Sequence, residues 1–323
     1  KAYVYEAALR SGKITLASNL LDQPYNYPDT NKPVLDWDNS YDGNITAAKA
    51  LLLSRNVPAV KVGQMEGMSN VNDLARSMGV TGNLVDVPSG AIGTSEISVM
   101  ANVQGYQVFA DQGKKVPLMA VTKVVGDTGQ TIYTAQPGTQ DGQSQVLTPA
   151  ESWLITSVLH GYPGYWGLGW RNSMAGKSGT TGGASINQHP DAWMMAYNPK
   201  IVIGSWAANT GPGDQARYTA AFGTSVGSTI TASFVNSLPA AYRGWYSSAP
   251  SGVVQGSGCP GQQSGSLWFL AGSENEIDCP TPTPQPTESP TPEPIQLPGG
   301  LFPFSPPTPE LTPTPTPDQN TPP

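Results

Sequence analysis

The spacing of apolar positions switches between helical and strand-like periods along the chain. Val4, Ala7, Ala8 and Leu9 keep the 3.6-residue period and predict a helix from Ala2 to Ser11, stopped by Gly12. The stretch from Leu20 to Asn44 loses any period to Asp, Asn, Pro and Tyr and reads as a loop. Thr46 is placed to cap a second helix carrying Ala47, Ala50, Leu51 and Leu52. That helix should end near Ser54-Arg55-Asn56, because Pro58 disfavours helical geometry in the residue before it. Short helices are predicted over 57–64 and 71–78, the second closed by Gly79, and a longer one from Ser95 or Glu96 to about Asp111.

Beyond residue 117 the pattern becomes strand-like. The runs 118–125 and 130–134 read as a hairpin around Gly126-Asp127-Thr128-Gly129. Thr148-Pro149-Ala150-Glu151 is a helix start, with proline at the first position and an acid in the first turn, and that helix should run to about His160. The apolar runs 191–197 and 201–207 flank Asn198-Pro199-Lys200 and predict a second hairpin. The run 175–183 would be a third, neighbouring strand, and 224–238 a last amphipathic helix. Helices first, then antiparallel strands with a closing helix, give an α+β fold: an antiparallel sheet packed between helices.

Composition separates the ends of the chain. All 16 basic residues lie at or before Arg243, and seven of the 23 acids lie after it, so the first part is neutral and the net charge of −7 belongs to the C-terminal part. No basic cluster points to nucleic acid. From Ser247 the sequence turns to Gly, Ser and Gln, and from Pro280 to repeated Thr-Pro that buries too little apolar surface to order itself. The expected organisation is a domain over 1–245, a small Gly/Ser-rich region over 246–280 with little core, and a disordered, extended tail over 281–323. Cys259 and Cys279 stand close together in the middle region. A disulfide between them would place the protein in an oxidising, extracytoplasmic compartment; free thiols or half a metal site are the alternatives. With only His160 and His189 as histidines, a four-ligand zinc site is poorly supplied, and no metal or cofactor is expected. No uninterrupted apolar run reaches membrane-spanning length.

The candidate chemistry lies in three separated pieces. Lys177-Ser178-Gly179-Thr180-Thr181 puts a lysine and hydroxyls along one short edge suited to an anionic group, with Gly179 allowing close approach to the backbone. Alone, the same run is also a Gly-rich surface loop, Ser54 and Asn56 are ordinary helix-end residues, and Trp193 and Trp206 are core. Together, Lys1, then Ser54-Arg55-Asn56, then Lys177-Ser178-Gly179-Thr180 resemble the S-x-x-K, S-x-N and K-T-G elements of the penicillin-recognising serine acyltransferases. The flanks sharpen this. Lys1 to Leu9 resembles the stretch that begins at the S-x-x-K lysine in class A penicillin-binding proteins. Leu53 to Lys61 resembles their second motif with its Asn-(Ile/Val)-Pro-Ala continuation, and Gly176 to Thr181 with the later Asp191-Ala192-Trp193 their third motif and next strand. The resemblance covers roughly residues 1–245.

That resemblance implies a β-lactamase/transpeptidase-like fold and a D,D-transpeptidase that cross-links peptidoglycan stem peptides through a serine acyl-enzyme. It also implies binding of β-lactam antibiotics and a place at the outer face of the cytoplasmic membrane, with an anchor and a glycosyltransferase domain upstream. Lys1 would take the serine proton; Ser54 would relay a proton to the leaving amine, held by Asn56, which would also bind the donor backbone. Lys177 would supply positive potential, Ser178 and Thr180 would hold the substrate carboxylate, and the Thr180 N–H would serve the oxyanion hole. Gly179 and Thr181 complete the substrate edge.

The family's nucleophilic serine lies three residues before the first lysine. If Lys1 is that lysine, the serine precedes this chain, and the 323 residues alone are expected to be inactive. None of the other lysines has a serine three residues before it; Thr46-Ala47-Ala48-Lys49 comes nearest, and Thr46 is better explained as a cap. Another departure is the aromatic, Gly-rich stretch 161–171, where relatives carry a simpler turn. A class A β-lactamase is disfavoured for want of a Glu-x-x-Leu-Asn run. A D,D-carboxypeptidase, or a non-enzymatic sensor or wall-binding module on the same scaffold, stays open.

Overall fold

Helix α1 (Ala2–Arg10) forms where the apolar period predicts it and buries Val4, Tyr5, Ala8 and Leu9. The computed structural model describes residues 1–135, 144–170, 173–182, 189–209, 221–257 and 266–274. After α1 come strands β1 (Asn19–Asp22) and β2 (Gly43–Thr46), then helices α2 (Ala47–Leu52), α3 (Asn56–Glu66) and α4 (Met68–Ser77). A 3-10 turn over Pro88–Ile92 leads to α5 (Val99–Ala110). Next are β3 (Lys114–Lys115), β4 (Lys123–Val125), β5 (Thr131–Thr134), β6 (Ser144–Gln145) and α6 (Pro149–Tyr165). Strands β7 (Ala175–Thr180), β8 (Asp191–Asn198) and β9 (Ile201–Ala208) precede α7 (Ser228–Ser237), and β10 (Val253–Gly256) and β11 (Leu267–Leu270) come after it.

Local chemistry explains the boundaries. The Thr46 hydroxyl accepts from Lys49 N at 3.1 Å to start α2. At α6 the cap is reciprocal: Glu151 N donates to Thr148 Oγ1 at 3.1 Å and Thr148 N to Glu151 Oε2 at 2.6 Å. The sequence places the end of α6 near His160, but the helix continues through Pro163 to Tyr165. Tyr162 and Pro163 are buried there, and Gly176 on the facing strand leaves the room: a Cβ at Gly176 would stand 3.4 Å from Pro163 Cγ. The predicted loop over 20–44 is also corrected. Its ends pair antiparallel, Asn19 with Thr46 and Asp22 with Gly43, closing the intervening segment into a tied excursion.

The sheet that carries the third motif is β7-β8-β9, antiparallel throughout, with Lys177 opposite Met195 and Thr180 opposite Ala192. Asn198 closes the hairpin by accepting from Lys200 N and Ile201 N through Oδ1 at 2.8 and 3.1 Å. Alternation along β8 divides the core. Met195 and Tyr197 face a cluster built with α1, α5 and α6, whereas Met194 and Ala196 face a second one with Tyr162, Trp170 and Val235 of α7. The sheet therefore lies between helices, an α+β arrangement. Each fully buried side chain of this kind stabilises by roughly 2 kcal/mol.

Trp206 departs from the core assignment: it is 44% exposed, and its indole donates to Asp191 Oδ1 at 2.7 Å. The region after 246 has more core than its composition suggests. Strands β10 and β11 pair, Phe269 is buried, Trp268 packs edge-on to Trp153 at 5.7 Å, and the Tyr246 hydroxyl donates to Ala110 O at 2.6 Å. Cys259, Cys279 and the Thr/Pro-rich stretch 281–323 lie outside the described residues. No described helix is long and apolar enough to cross a membrane.

Candidate active site

The junction between α2 and α3 sets the first half of the site. Helix α2 ends in a paired C-cap: Arg55 N donates to Ala50 O at 3.0 Å and Ser54 N to Leu51 O at 3.1 Å. This closure requires a left-handed residue after the cap, a position that glycine usually fills. Here Ser54 fills it, with φ of 61°. For a residue with a Cβ that conformation costs about 1–2 kcal/mol. The reversed backbone turns the Ser54 hydroxyl toward β7, where it accepts from Lys177 Nζ at 2.6 Å.

Two residues on, Asn56 begins α3. Its Nδ2 donates to Leu35 O at 2.7 Å, and its backbone N–H donates to Asp36 Oδ1. The first bond fixes the amide's orientation, leaving Oδ1 to accept from Lys1 Nζ at 2.6 Å. The sequence-based expectation that Asn56 holds Ser54 is not what the structure shows: the amide spans Lys1 and Leu35. Ser54 is bonded to Lys177 rather than to Lys1.

Lys177 is buried and Lys1 half-buried, and both amines are easier to deprotonate for it. Burial lowers the Lys1 side chain to about 8; Asp36 pulls it back up and Arg55 pushes it further down. Burial holds Lys177 well below the usual lysine range, and the charge of Lys1 adds to that lowering. Lys177 also donates to Ser178 O at 3.1 Å and stands 4.7 Å from the centre of the Tyr162 ring.

Tyr162 is a site residue that sequence reasoning missed. Its hydroxyl and Ser178 Oγ are 2.5 Å apart, so Ser178 is tied to α6. Burial pushes the Tyr162 phenol up to about 12, which keeps it neutral beside the lysine. The only signal was its place in the aromatic, Gly-rich stretch 161–171, just past the predicted helix end near His160. Arg55, also missed, sits between the two polar motif residues but points the other way, toward the buried Asp22 and Asp36 and the partly exposed Asp38 and Asp42.

The far end of β7 is bound differently. Thr180 Oγ1 accepts from Gly223 N at 3.0 Å. Thr181 is turned toward β8, its hydroxyl donating to Asp191 Oδ2 at 3.1 Å. Gly179 packs on Trp193: a Cβ there would stand 3.3 Å from Trp193 Cβ. Lys1, Asn56, Ser54 and Lys177 thus converge from α1, the α2–α3 junction and β7, with Ser178, Gly179 and Thr180 leading away along the strand. This geometry suits a proton moved between buried amines and hydroxyls beside a polar strand edge.

Known proteins carry the same architecture. Residues 1–222 match the family described as the penicillin binding protein transpeptidase domain. Penicillin-binding protein 2D of Bacillus subtilis is 28% identical over 266 residues, covering 75% of this chain and 36% of that protein. Penicillin-binding protein 1A of Neisseria lactamica is 26% identical over 272 residues, covering 80% and 33%. The chain therefore spans about a third of the length of these relatives. Among solved structures, penicillin-binding protein 1A from Haemophilus influenzae superposes with a TM-score of 0.69 at 19% identity, over 85% of this chain and 47% of that one. PonA1 from Mycobacterium tuberculosis in complex with penicillin V gives 0.64 at 22%, over 73% and 66%. These likenesses establish the β-lactamase/transpeptidase fold. With three motifs in order and a family match over most of its length, the chain belongs to the penicillin-binding protein transpeptidase domain family.

Proposed function

We propose that this chain is the greater part of a peptidoglycan D,D-transpeptidase domain acting outside the cytoplasm, and that its site also takes β-lactam antibiotics. The observation that supports this most is the convergence of two desolvated lysines on Ser54 and Asn56, held at 2.6 Å in each case. In this reading the nucleophile is a serine three residues before Lys1. The neutral Lys1 amine takes its proton as the serine oxygen attacks the penultimate D-alanine carbonyl. With a value of about 8, roughly a tenth of Lys1 is neutral at pH 7. The Thr180 N–H and the serine's own N–H hold the oxyanion, worth ~3 kcal/mol in comparable sites.

As the C–N bond breaks, Ser54 gives its proton to the departing D-alanine amine and is re-supplied by Lys177. Ser178 and Thr180 hold the substrate carboxylate against the potential of Lys177, which requires Ser178 to release Tyr162. Asn56 likewise exchanges an internal contact for the donor backbone. An amine of a neighbouring stem peptide then attacks the serine ester, passing its proton through Ser54 to Lys177. Lys1 returns a proton to the leaving serine oxygen, so the cross-link forms, the serine is freed and both lysines are restored. In this reading the serine belongs to the full-length protein, as do the membrane anchor and the glycosyltransferase domain that the family resemblance implies.

The test uses the full-length protein with a stem peptide ending in D-Ala-D-Ala and an amine acceptor. Release of D-alanine with formation of the amide-linked product is expected. D-Alanine release with hydrolysed donor alone would make it a carboxypeptidase, and no release at all would make it a sensor.

A further inference from the structure

We propose that Arg55 is a positioning residue for this site: from its buried place between Ser54 and Asn56, it clamps the 22–42 segment that orients Asn56 and sets the charge around Lys1. This rests on the acyl-transfer reading of Lys1, Ser54 and Asn56.

Arg55 is 1% exposed and is surrounded by acids from one segment only. Its Nε lies 2.7 Å from Asp22 Oδ2, 3.1 Å from Asp42 Oδ2 and 3.7 Å from Asp36 Oδ1. Its Nη1 donates to both oxygens of Asp38 at 3.0 Å, and its Nη2 to Ser40 O. A planar guanidinium with five donors is the one side chain that fills such a ring from a single stem. Asp22 and Asp42 stand at the two ends of the excursion that β1 and β2 close, so the fork draws both ends and its middle onto one point.

That middle is what Asn56 reads. Leu35 O and Asp36 Oδ1 receive its Nδ2 and N–H, and these two bonds decide that Oδ1 faces Lys1. Arg55 and Asn56 therefore grip the same segment, Arg55 from the buried side and Asn56 from the site side. The charges that act on the Lys1 side chain are Asp36 from the segment and Arg55 from the junction, and Lys1 in turn acts on Lys177 of β7. Asp36 favours the charged Lys1 amine, whereas Arg55 favours the neutral one. Burial pushes the Asp36 carboxyl up to about 6 and Asp22 adds to that, while the Asn56 N–H and Arg55 hold it down, so its charge faces Lys1 above that pH and is lost below it.

The experiment measures acylation of the full-length protein by a fluorescent penicillin, as rate against pH and against penicillin concentration. Arg55→Lys keeps the charge but loses the fork. The acylation step should fall by about 10–100-fold with the noncovalent constant and the pH midpoint little changed, since a misplacement of an ångström costs on that order. Asp36→Asn keeps the acceptor for Asn56 N–H but removes the negative charge facing Lys1, and should move the midpoint of the acid limb to lower pH. A merely structural role moves neither the midpoint nor the step that is slowed. If Arg55→Lys does not fold, Asp38→Asn replaces the partly exposed acid of the fork without emptying the buried pocket, and should slow acylation several-fold. Wild-type rates in the variant that folds, or an unmoved midpoint in Asp36→Asn, overturn the proposal. Failure of the wild-type protein to acylate at all overturns the acyl-transfer reading instead.

Discussion

The α2–α3 junction and strand β7 meet in one contact, Lys177 Nζ to Ser54 Oγ, yet they reach it by different means. Strand β7 is regular: every residue from Ala175 to Thr180 has a partner on β8. The junction is irregular: a serine in a glycine's conformation, with an arginine next to it buried among four aspartates. A regular strand needs only the sheet behind it. A strained polar turn needs a specific partner to hold it, and the 22–42 segment is that partner. The comparison predicts that the junction is fragile to loss of its charges and the strand to loss of its space.

The largest effect should come from Arg55→Ala. Removing one partner of a buried ion-pair group leaves the others uncompensated and typically costs ~3–5 kcal/mol, read as a lowered denaturation midpoint. A loss under about 1 kcal/mol would show that the aspartates are solvated and the clamp is weak.

Lys177→Met sharpens the contrast from the strand side. The methionine spares the cost of burying an ammonium, so stability should stay within about 1 kcal/mol of wild type. Acylation by penicillin in the full-length protein should fall about a hundredfold, because the proton donor to Ser54 is gone. Equal losses of stability and acylation would make Lys177 a structural residue.

Gly223→Ala tests the space at the end of β7. A Cβ there would lie 2.3 Å from Trp193 O and 2.4 Å from Gly179 O, contacts with backbone that cannot swing away. Destabilisation of ~1–3 kcal/mol is expected, with loss of the Gly223 N–H to Thr180 bond. A small stability change of opposite sign belongs to Ser54→Gly. Relief of the left-handed strain should raise stability by about 1 kcal/mol while acylation collapses. Unchanged stability would mean that the Ser54–Lys177 bond already offsets the strain.

The same contrast explains what the sequence made legible. Strand β7, the 191–208 hairpin and helix α1 were readable because period, turn residues and caps are local signals. The helix leading to Ser54 was readable from the Thr46 cap, but not through Pro58, since Val57 before it lies inside α3. The role of Arg55 was not, because its partners lie 13 to 33 residues away in a stretch whose Asp, Asn and Pro content reads as loop. Tyr162 was hidden by Pro163, which marks a helix end unless the tertiary neighbour is small, as Gly176 is. Phe269 was hidden by its Gly/Ser-rich surroundings, where two short strands carry the burial.

On the proposed reading penicillin acylates a serine three residues before Lys1, so the most direct measurement is mass spectrometry of the full-length protein after treatment with penicillin, with the modified peptide mapped. The account predicts one added antibiotic mass on a serine three residues before Lys1, and none on the 323-residue chain alone. An adduct within residues 1–323, on Thr46 or elsewhere, or no adduct on the full-length protein, would contradict it.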